Sequence, residues 1–203
     1  MRGRRSIRRF KPDAPPDEEI ERLLEAAVTA PSASNKQPWR FFVVSDRERI
    51  AAMASAVRDA VATIAQHVPE ESVEAFRRYG DYFTRFEGAP VVIVPIHRGH
   101  RVLSGLVSED LDEELRRRVA EMERNSGLVA TSLAVQNLLL SAHARGLGAS
   151  VMTGPLVAVD ALTRILAVPT GWGMVALVPV GYPDEDPVAP GRKDLGKVVR
   201  WLR

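Results

Sequence analysis

From Leu128 to Ala144 the chain is apolar on nearly every side of a helix, broken only by small or amide residues such as Thr131, Ser132, Gln136 and Asn137. A helix without a polar face has to be covered all round, because any uncovered side leaves hydrocarbon in water. In a chain of 203 residues that puts it at the centre of the domain or in a subunit interface. Gly146-Leu147-Gly148 ends it, as glycine does just past a helix C-terminus. The rest of the sequence must supply the layers that cover it.

Those layers are legible as alternating helices and strands. Asp17, after Pro15-Pro16, is an expected N-cap, and Ile20, Leu23, Leu24, Ala27 and Val28 then form one apolar face until Pro31. Trp39 to Val44 is aromatic and β-branched and reads as a buried strand. Asp46 caps a second helix that turns Ile50, Met53, Val57, Val61 and Ile64 inward. Gly88-Ala89-Pro90 introduces a fully apolar strand, Val91 to Ile96. Beyond the central helix come a strand over Ala149 to Met152, a tight Thr153-Gly154-Pro155 turn, a short helix capped by Asp160, and a strand from Met174 to Val180. The order gives an α/β or α+β class in one domain, 1–203. Two segments stand apart: a charged stretch within 98–125, read as an exposed helix on a lid-like or merely connecting excursion, and a Pro- and charge-rich arm, 183–203.

Composition removes several functions. Apolar residues make up 45% of the chain against a net charge of +2, which is globular rather than disordered. There is no Cys, so disulfides, thiolate metal sites and Cys nucleophiles are excluded, and a reducing cytoplasm is compatible. The basic N-terminus lacks the apolar core of a signal peptide, and the apolar runs fall short of the ~20 residues of a membrane helix. A soluble, cytoplasmic protein without a membrane partner is expected. The six cations between Arg2 and Lys11, with no acid among them, point to an anion such as phosphate. No second basic stripe follows, so nucleic acid is not expected.

Protein-supplied catalysis finds little support. His67, His97, His100 and His143 form no metal-ligand spacing, and no metal site is expected. Nucleophile-elbow, P-loop and dinucleotide glycine motifs are absent. What remains is Arg4-Arg5-Ser6 with Arg8, Ser32 to Gln37, Thr153-Gly154 and Arg192-Lys193. Cations for a phosphate and amides for a polar ring edge suit an organic cofactor that carries the chemistry itself.

RRSIRRF at 4–10, PSASNKQPWRF at 31–41, GLGASVMTGP at 146–155 and VPVGYPDEDPVAPGRKDL at 178–195 together resemble the FMN-dependent nitroreductase family, in its order and at its spacing. The resemblance implies an α+β three-layer fold with a central mixed sheet flanked by helices. It also implies a homodimer with a swapped C-terminal extension and two interfacial FMN sites. By the same resemblance Arg4, Arg5 and Ser6 hold the FMN phosphate, joined by Arg192 with Lys193, while Arg8 faces the pyrimidine edge. Ser32, Ala33, Ser34 and Asn35, with Gln37, form the loop that covers the other subunit's ring. Thr153 and Gly154 form the turn near its N5 and O4 region, Gly154 allowing close backbone approach. Arg77, Arg78 and Arg85 are candidates for further pyrimidine-side cations. The implied reaction takes hydride from NAD(P)H and gives it to an electron-poor small molecule, with no catalytic acid or base. Flavin fragmentation, reductive dehalogenation and a non-enzymatic flavin carrier are the alternatives. Pro38 and Trp39 are expected in the core, and Gln136 and Asn137 as inter-helix hydrogen-bonding residues.

Overall fold

The computed structural model describes every residue except Arg2, Glu109 and Arg203, so one member of the N-terminal cation cluster and the first residue of the charged stretch lie outside the described residues. Five helices of the α type are present among the described residues: α1 (Asp17–Val28), α2 (Arg47–Ala65), α3 (Glu70–Gly80), α4 (Glu113–Ala144) and α5 (Val159–Ile165). Five strands, β1 (Trp39–Val44), β2 (Val91–His97), β3 (Gly148–Ala149), β4 (Gly173–Met174) and β5 (Val178–Gly181), form one sheet. Its order is β1-β2-β5-β3, with β4 on β2 beyond the end of β5. All of these pairings are antiparallel, whereas a mixed sheet was expected. A parallel neighbour is not supplied by the described part of one chain.

The sheet is the middle of three layers. Along β2, Val91 and Ile93 face α1 and α4, while Val92, Val94 and Ile96 face α2 and α5. Strand period therefore splits the core in two, and both sides are fully apolar, which is why β2 reads as an unbroken hydrophobic run. Ile20, Leu23 and Ala27 of α1 meet Ala130, Ala134, Leu138 and Ala142 of α4 in one cluster. On the opposite face Ile50, Met53, Ala54 and Val57 of α2 surround Phe86 and Leu162. Trp39 and Pro38 are buried, as expected.

The ends of the elements show where side-chain chemistry decided the geometry. Asp46 caps α2 by accepting from the N–H groups of Glu48 and Arg49. Asp17 does not cap α1; Pro16 occupies that position and Asp17 is the first helical residue, its charge on the positive end of the dipole. Asp160 likewise lies inside the first turn of α5, with Ala158 at the cap. Ile64, expected inward on α2, is 37% exposed. The expected strand from Met174 to Val180 is interrupted, and the one from Ala149 to Met152 shrinks to β3 plus an isolated bridge between Met152 and Leu177.

The largest difference is α4. The exposed helix of the excursion and the apolar central helix are one helix of 32 residues. Its second half is not covered on all sides: Leu128, Val129 and Leu133 are 39%, 59% and 43% exposed. Asn137 donates to the carbonyl of Ala26 and to the Thr29 hydroxyl, as expected of an inter-helix amide, but Gln136 is exposed. Arg145, just past α4, grips Glu19 of α1 through two contacts of 2.5 and 3.0 Å. By length and composition α4 could cross a membrane; its inner face is packed into the core of this fold. The arm after Pro183 is extended, and Leu195, Trp201 and Leu202 are 72%, 75% and 84% exposed.

Candidate functional site

The basic N-terminal segment is tied down as an extra extended strip. Ile7 donates to the carbonyl of Ala149 (3.1 Å), Lys11 to that of Tyr182 (2.9 Å), and Asp184 to that of Arg9 (3.0 Å). Ile7 is buried against Gly148, where any side chain would collide with it. Glu185 completes the attachment: one carboxylate oxygen accepts from the backbone N–H groups of Arg8 (2.6 Å) and Arg9 (3.2 Å).

That strip gathers residues from opposite ends of the chain. Arg4, Arg5, Ser6, Arg8 and Arg192, with Pro187, Val188 and Pro190, line a cleft of about 350 Å³. Four arginines and a serine line it, with no acid among the lining residues, a composition that favours an anion. Arg8 also borders an adjoining cleft of about 300 Å³, whose walls include Tyr79, Tyr82, Phe83, Val151, Met152, Thr153, Gly154 and Pro155. Arg8 thus borders both the arginine-lined cleft and the aromatic and apolar one. Lys193 is exposed and lines neither.

Gly154 has a structural reason besides the expected one. A β-carbon there would run into the Phe83 ring, so the missing side chain makes room for Phe83 as well as for any ligand. Phe83 in turn meets Tyr79 edge-on, with ring centroids 5.0 Å apart. Arg85 lies over the Tyr82 ring at 4.0 Å, which brings it near this wall. Arg77 borders a different cavity with Arg58 and Asp81.

The loop Ser32 to Gln37 does not join these residues within one chain. Ser34, Asn35 and Gln37 all have positive φ (51°, 51° and 46°), a conformation that costs energy for any residue with a side chain. The Ser32 hydroxyl helps to hold it by accepting from the Gln37 N–H at 2.9 Å. Ala33 and Ser34 instead border a separate cavity of about 280 Å³, together with Lys36, Pro38, His100, Val102, Leu103, Met122, Glu123, Ser126 and Gly127.

Glu123 was not singled out in the sequence, yet its carboxylate accepts from four donors. It is 8% exposed and accepts from the backbone N–H groups of Val102 (2.7 Å), Leu103 (2.7 Å) and Ser104 (3.1 Å), and from the Ser104 hydroxyl (2.5 Å). Burial alone raises its pKa, but the Ser104 hydroxyl and the three backbone donors outweigh it and hold the pKa at about 2. His97 and His100 shift downward, His97 through burial, His100 through burial and then the charges of Arg98 and Lys36. Among the described residues no group of three or more His, Asp or Glu side chains could hold a metal ion.

The profile of the Nitroreductase family matches residues 1–182. A Thermus thermophilus protein named NADH dehydrogenase is 34% identical over 98% of this chain and 92% of its own length. An iodotyrosine deiodinase of Haliscomenobacter hydrossis is 33% identical over 98% of this chain and 85% of its own. In fold, a BluB-like flavoprotein from Clostridium difficile superimposes with a TM-score of 0.86 at 23% identity, covering 98% of this chain and 95% of that one. A nitroreductase with bound FMN from Desulfitobacterium hafniense does so at 0.73 and 22%, covering 100% and 95%. The match over residues 1–182 and the identity to a relative aligned over nearly its whole length show that this chain belongs to the nitroreductase family.

Proposed function

We propose that the protein is an FMN-dependent oxidoreductase, acting as a homodimer in the cytoplasm, that moves a hydride from NAD(P)H to an electron-poor small molecule such as a nitroaromatic or a quinone. The observation that carries this reading is the cleft lined by Arg4, Arg5, Ser6, Arg8 and Arg192 without an acid, with Arg8 also bordering an aromatic wall. That donor set fits a monophosphate, and the adjoining wall fits a flat ring. Bound FMN supplies a two-electron store that can be filled by NAD(P)H and emptied by the acceptor in separate half-reactions.

The residues of the chain provide binding and electrostatics. Arg4, Arg5 and Arg192 offer forked, charge-assisted hydrogen bonds to phosphate oxygens, the Ser6 hydroxyl adds a donor, and Lys193 stands next to Arg192. Arg8, which borders both clefts, places positive charge where gaining electrons makes a ring more negative. Overall, NAD(P)H leaves as NAD(P)⁺, and a quinone takes up the hydride plus one proton from solvent to become a hydroquinone; no side chain is needed as the acid.

The dimer accounts for two further features. Ser32, Ala33, Ser34, Asn35 and Gln37 are apart from the arginine cleft in one chain, so they contribute to a ring site only across an interface. Leu128, Val129 and Leu133 on α4, and Trp201 and Leu202 on the arm, are apolar surface that a second copy covers. Purified protein should be yellow and bleach anaerobically with NADH or NADPH, and Arg4→Ala with Arg5→Ala should lose the flavin while staying folded. Stoichiometric flavin in that double variant would overturn the phosphate assignment. Reductive dehalogenation is the second reading, favoured by the 33% identity to a deiodinase; iodide release from 3-iodo-L-tyrosine tests it.

A further inference from the structure

Two arginines remote from the N-terminal strip meet over one indole. Arg40 of β1 pairs with Ile96 of β2, and Ile96 pairs with Met174 of β4, so the three share one face of the sheet. Side chains alternate along a strand, which brings Arg98, two residues past Ile96, and Trp172, two before Met174, to the same face. It is the side of α2 and α5, where Ile96, Met174 and Trp172 join one apolar cluster, and not the side of α4. The Arg40 guanidinium lies 4.6 Å from the centroid of the Trp172 ring and that of Arg98 lies 5.1 Å from it. The two positive charges are no farther apart than those distances together allow.

The cluster is held in place but not neutralised. The backbone N–H of Arg98 donates to the Pro38 carbonyl at 3.1 Å, and that of Trp172 to the Pro169 carbonyl at 3.2 Å. The turn that ends at the indole contains Ala167 at φ 49° and Gly171 at φ 83°, and a left-handed alanine is a conformation the fold enforces at a cost. Attraction to the ring face fixes where the guanidinium groups stand and leaves their N–H groups for another partner. Among the described residues neither Arg40 nor Arg98 forms an ion pair with a carboxylate, whereas Arg58 and Arg145, for example, are each gripped by one. The positive field reaches beyond the indole. His100, on the rim of the cavity beside the Ser32–Gln37 loop, has its pKa lowered by burial and then by the charges of Arg98 and Lys36.

Two forked cations without an acid suit an anion with enough oxygens for both. A carboxylate fills one fork, whereas the three terminal oxygens of a phosphate monoester can serve two. In the hydride transfer proposed above, FMN and NADPH each carry a phosphate monoester, while the phosphates of NADH are diesters. The FMN phosphate is already assigned to Arg4, Arg5 and Arg192. We propose that Arg40 and Arg98, fixed by Trp172, bind the 2′-phosphate of NADPH and so make the protein select NADPH over NADH. The identity of the ligand rests on the oxidoreductase reading above; the capture of a phosphate monoester by the two arginines does not.

The test uses purified full-length protein, with NADP⁺ and NAD⁺ as probes in equilibrium dialysis and with initial rates on NADPH and NADH beside them. Wild type should bind NADP⁺ about tenfold or more tightly than NAD⁺. Arg40 and Arg98 are both exposed, so Arg40→Ala with Arg98→Ala should fold and hold as much flavin as wild type. That double variant should bind NADP⁺ and NAD⁺ alike, and its kcat/KM for NADPH should fall about tenfold or more, through KM rather than kcat. Arg40→Glu sets a carboxylate against Arg98 and should abolish the preference by itself. Equal binding of NADP⁺ and NAD⁺ by wild type overturns the site, and so does a preference for NADP⁺ that survives in the double variant. An arginine-dependent preference for NADP⁺ in a protein that oxidises neither NADPH nor NADH keeps the site and removes the oxidoreductase reading.

Discussion

A carboxylate oxygen of Glu185 accepts from the backbone N–H of Arg8 at 2.6 Å, so an acid from the start of the C-terminal arm holds the segment that carries the cleft's arginines. The same oxygen reaches the Arg9 N–H, and the other pairs with the Arg9 guanidinium at 3.5 Å. Glu185→Ala should therefore loosen the strip and cost about 1.5–3 kcal/mol of stability, the range for hydrogen bonds to charged groups. Thermal unfolding checks the stability. Flavin retained after gel filtration should fall with it, because the arginines lose their common support.

The close fit of Gly154 to Phe83 gives a second expectation. Gly154→Ala should destabilise the protein by about 1–3 kcal/mol, as overpacking in a rigid core does. In a Phe83→Ala background Gly154→Ala should cost less, because the Cγ, Cδ1 and Cε1 atoms that the new methyl meets are gone. Urea titrations of the two single variants and the double variant close the cycle. Strict additivity would show that the two residues are not in conflict.

Glu123 makes the protein sensitive to acid in a defined window. Its folded pKa of about 2 lies below the ordinary 4.5, so the folded state holds the proton less tightly than the unfolded chain. Its contribution is complete above about pH 4.5 and disappears as the pH falls towards 2. Glu123→Gln cannot titrate. The stability gap between wild type and Glu123→Gln should accordingly shrink across that window and be constant above it, as measured by urea midpoints at successive pH values.

The exposed apolar side of α4 carries the expectation for the dimer. Val129→Glu puts a charge on a residue that is 59% exposed in one chain, so a lone chain tolerates it within about 0.5 kcal/mol. A dimer that covers this face does not. Sedimentation should give a dimer for wild type and a monomer for Val129→Glu, and the monomer should lose flavin if both copies build the site. A variant that stays dimeric would move the interface elsewhere.

Much of this fold could be read in advance because it is written in side-chain periodicity. β1 covers the expected Trp39–Val44, and the Asp46 cap and the inward Ile50, Met53 and Val57 follow from spacing alone. Where the pattern changes character, the reading fails. The halves of α4 differ so much in polarity that they resemble two elements, although nothing between them breaks a helix. α3 went unread because its eleven residues bury only Gly80. The meeting of Arg4, Arg5, Ser6 and Arg8 with Arg192 was legible only through family motifs, since no local rule joins residues so far apart. The Glu123 clasp was not legible at all, because its donors are mostly backbone N–H groups, which nearly every residue has.

The unbroken helix α4 is, in mechanical terms, a cantilever. Its C-terminal half is bolted to α1 and the sheet, whereas its N-terminal half overhangs and carries the carboxylate that secures the excursion. Lengthening, shortening or resurfacing the overhang leaves the anchored half with all of its contacts. The overhang can therefore change in length and surface without touching the residues that line the arginine cleft.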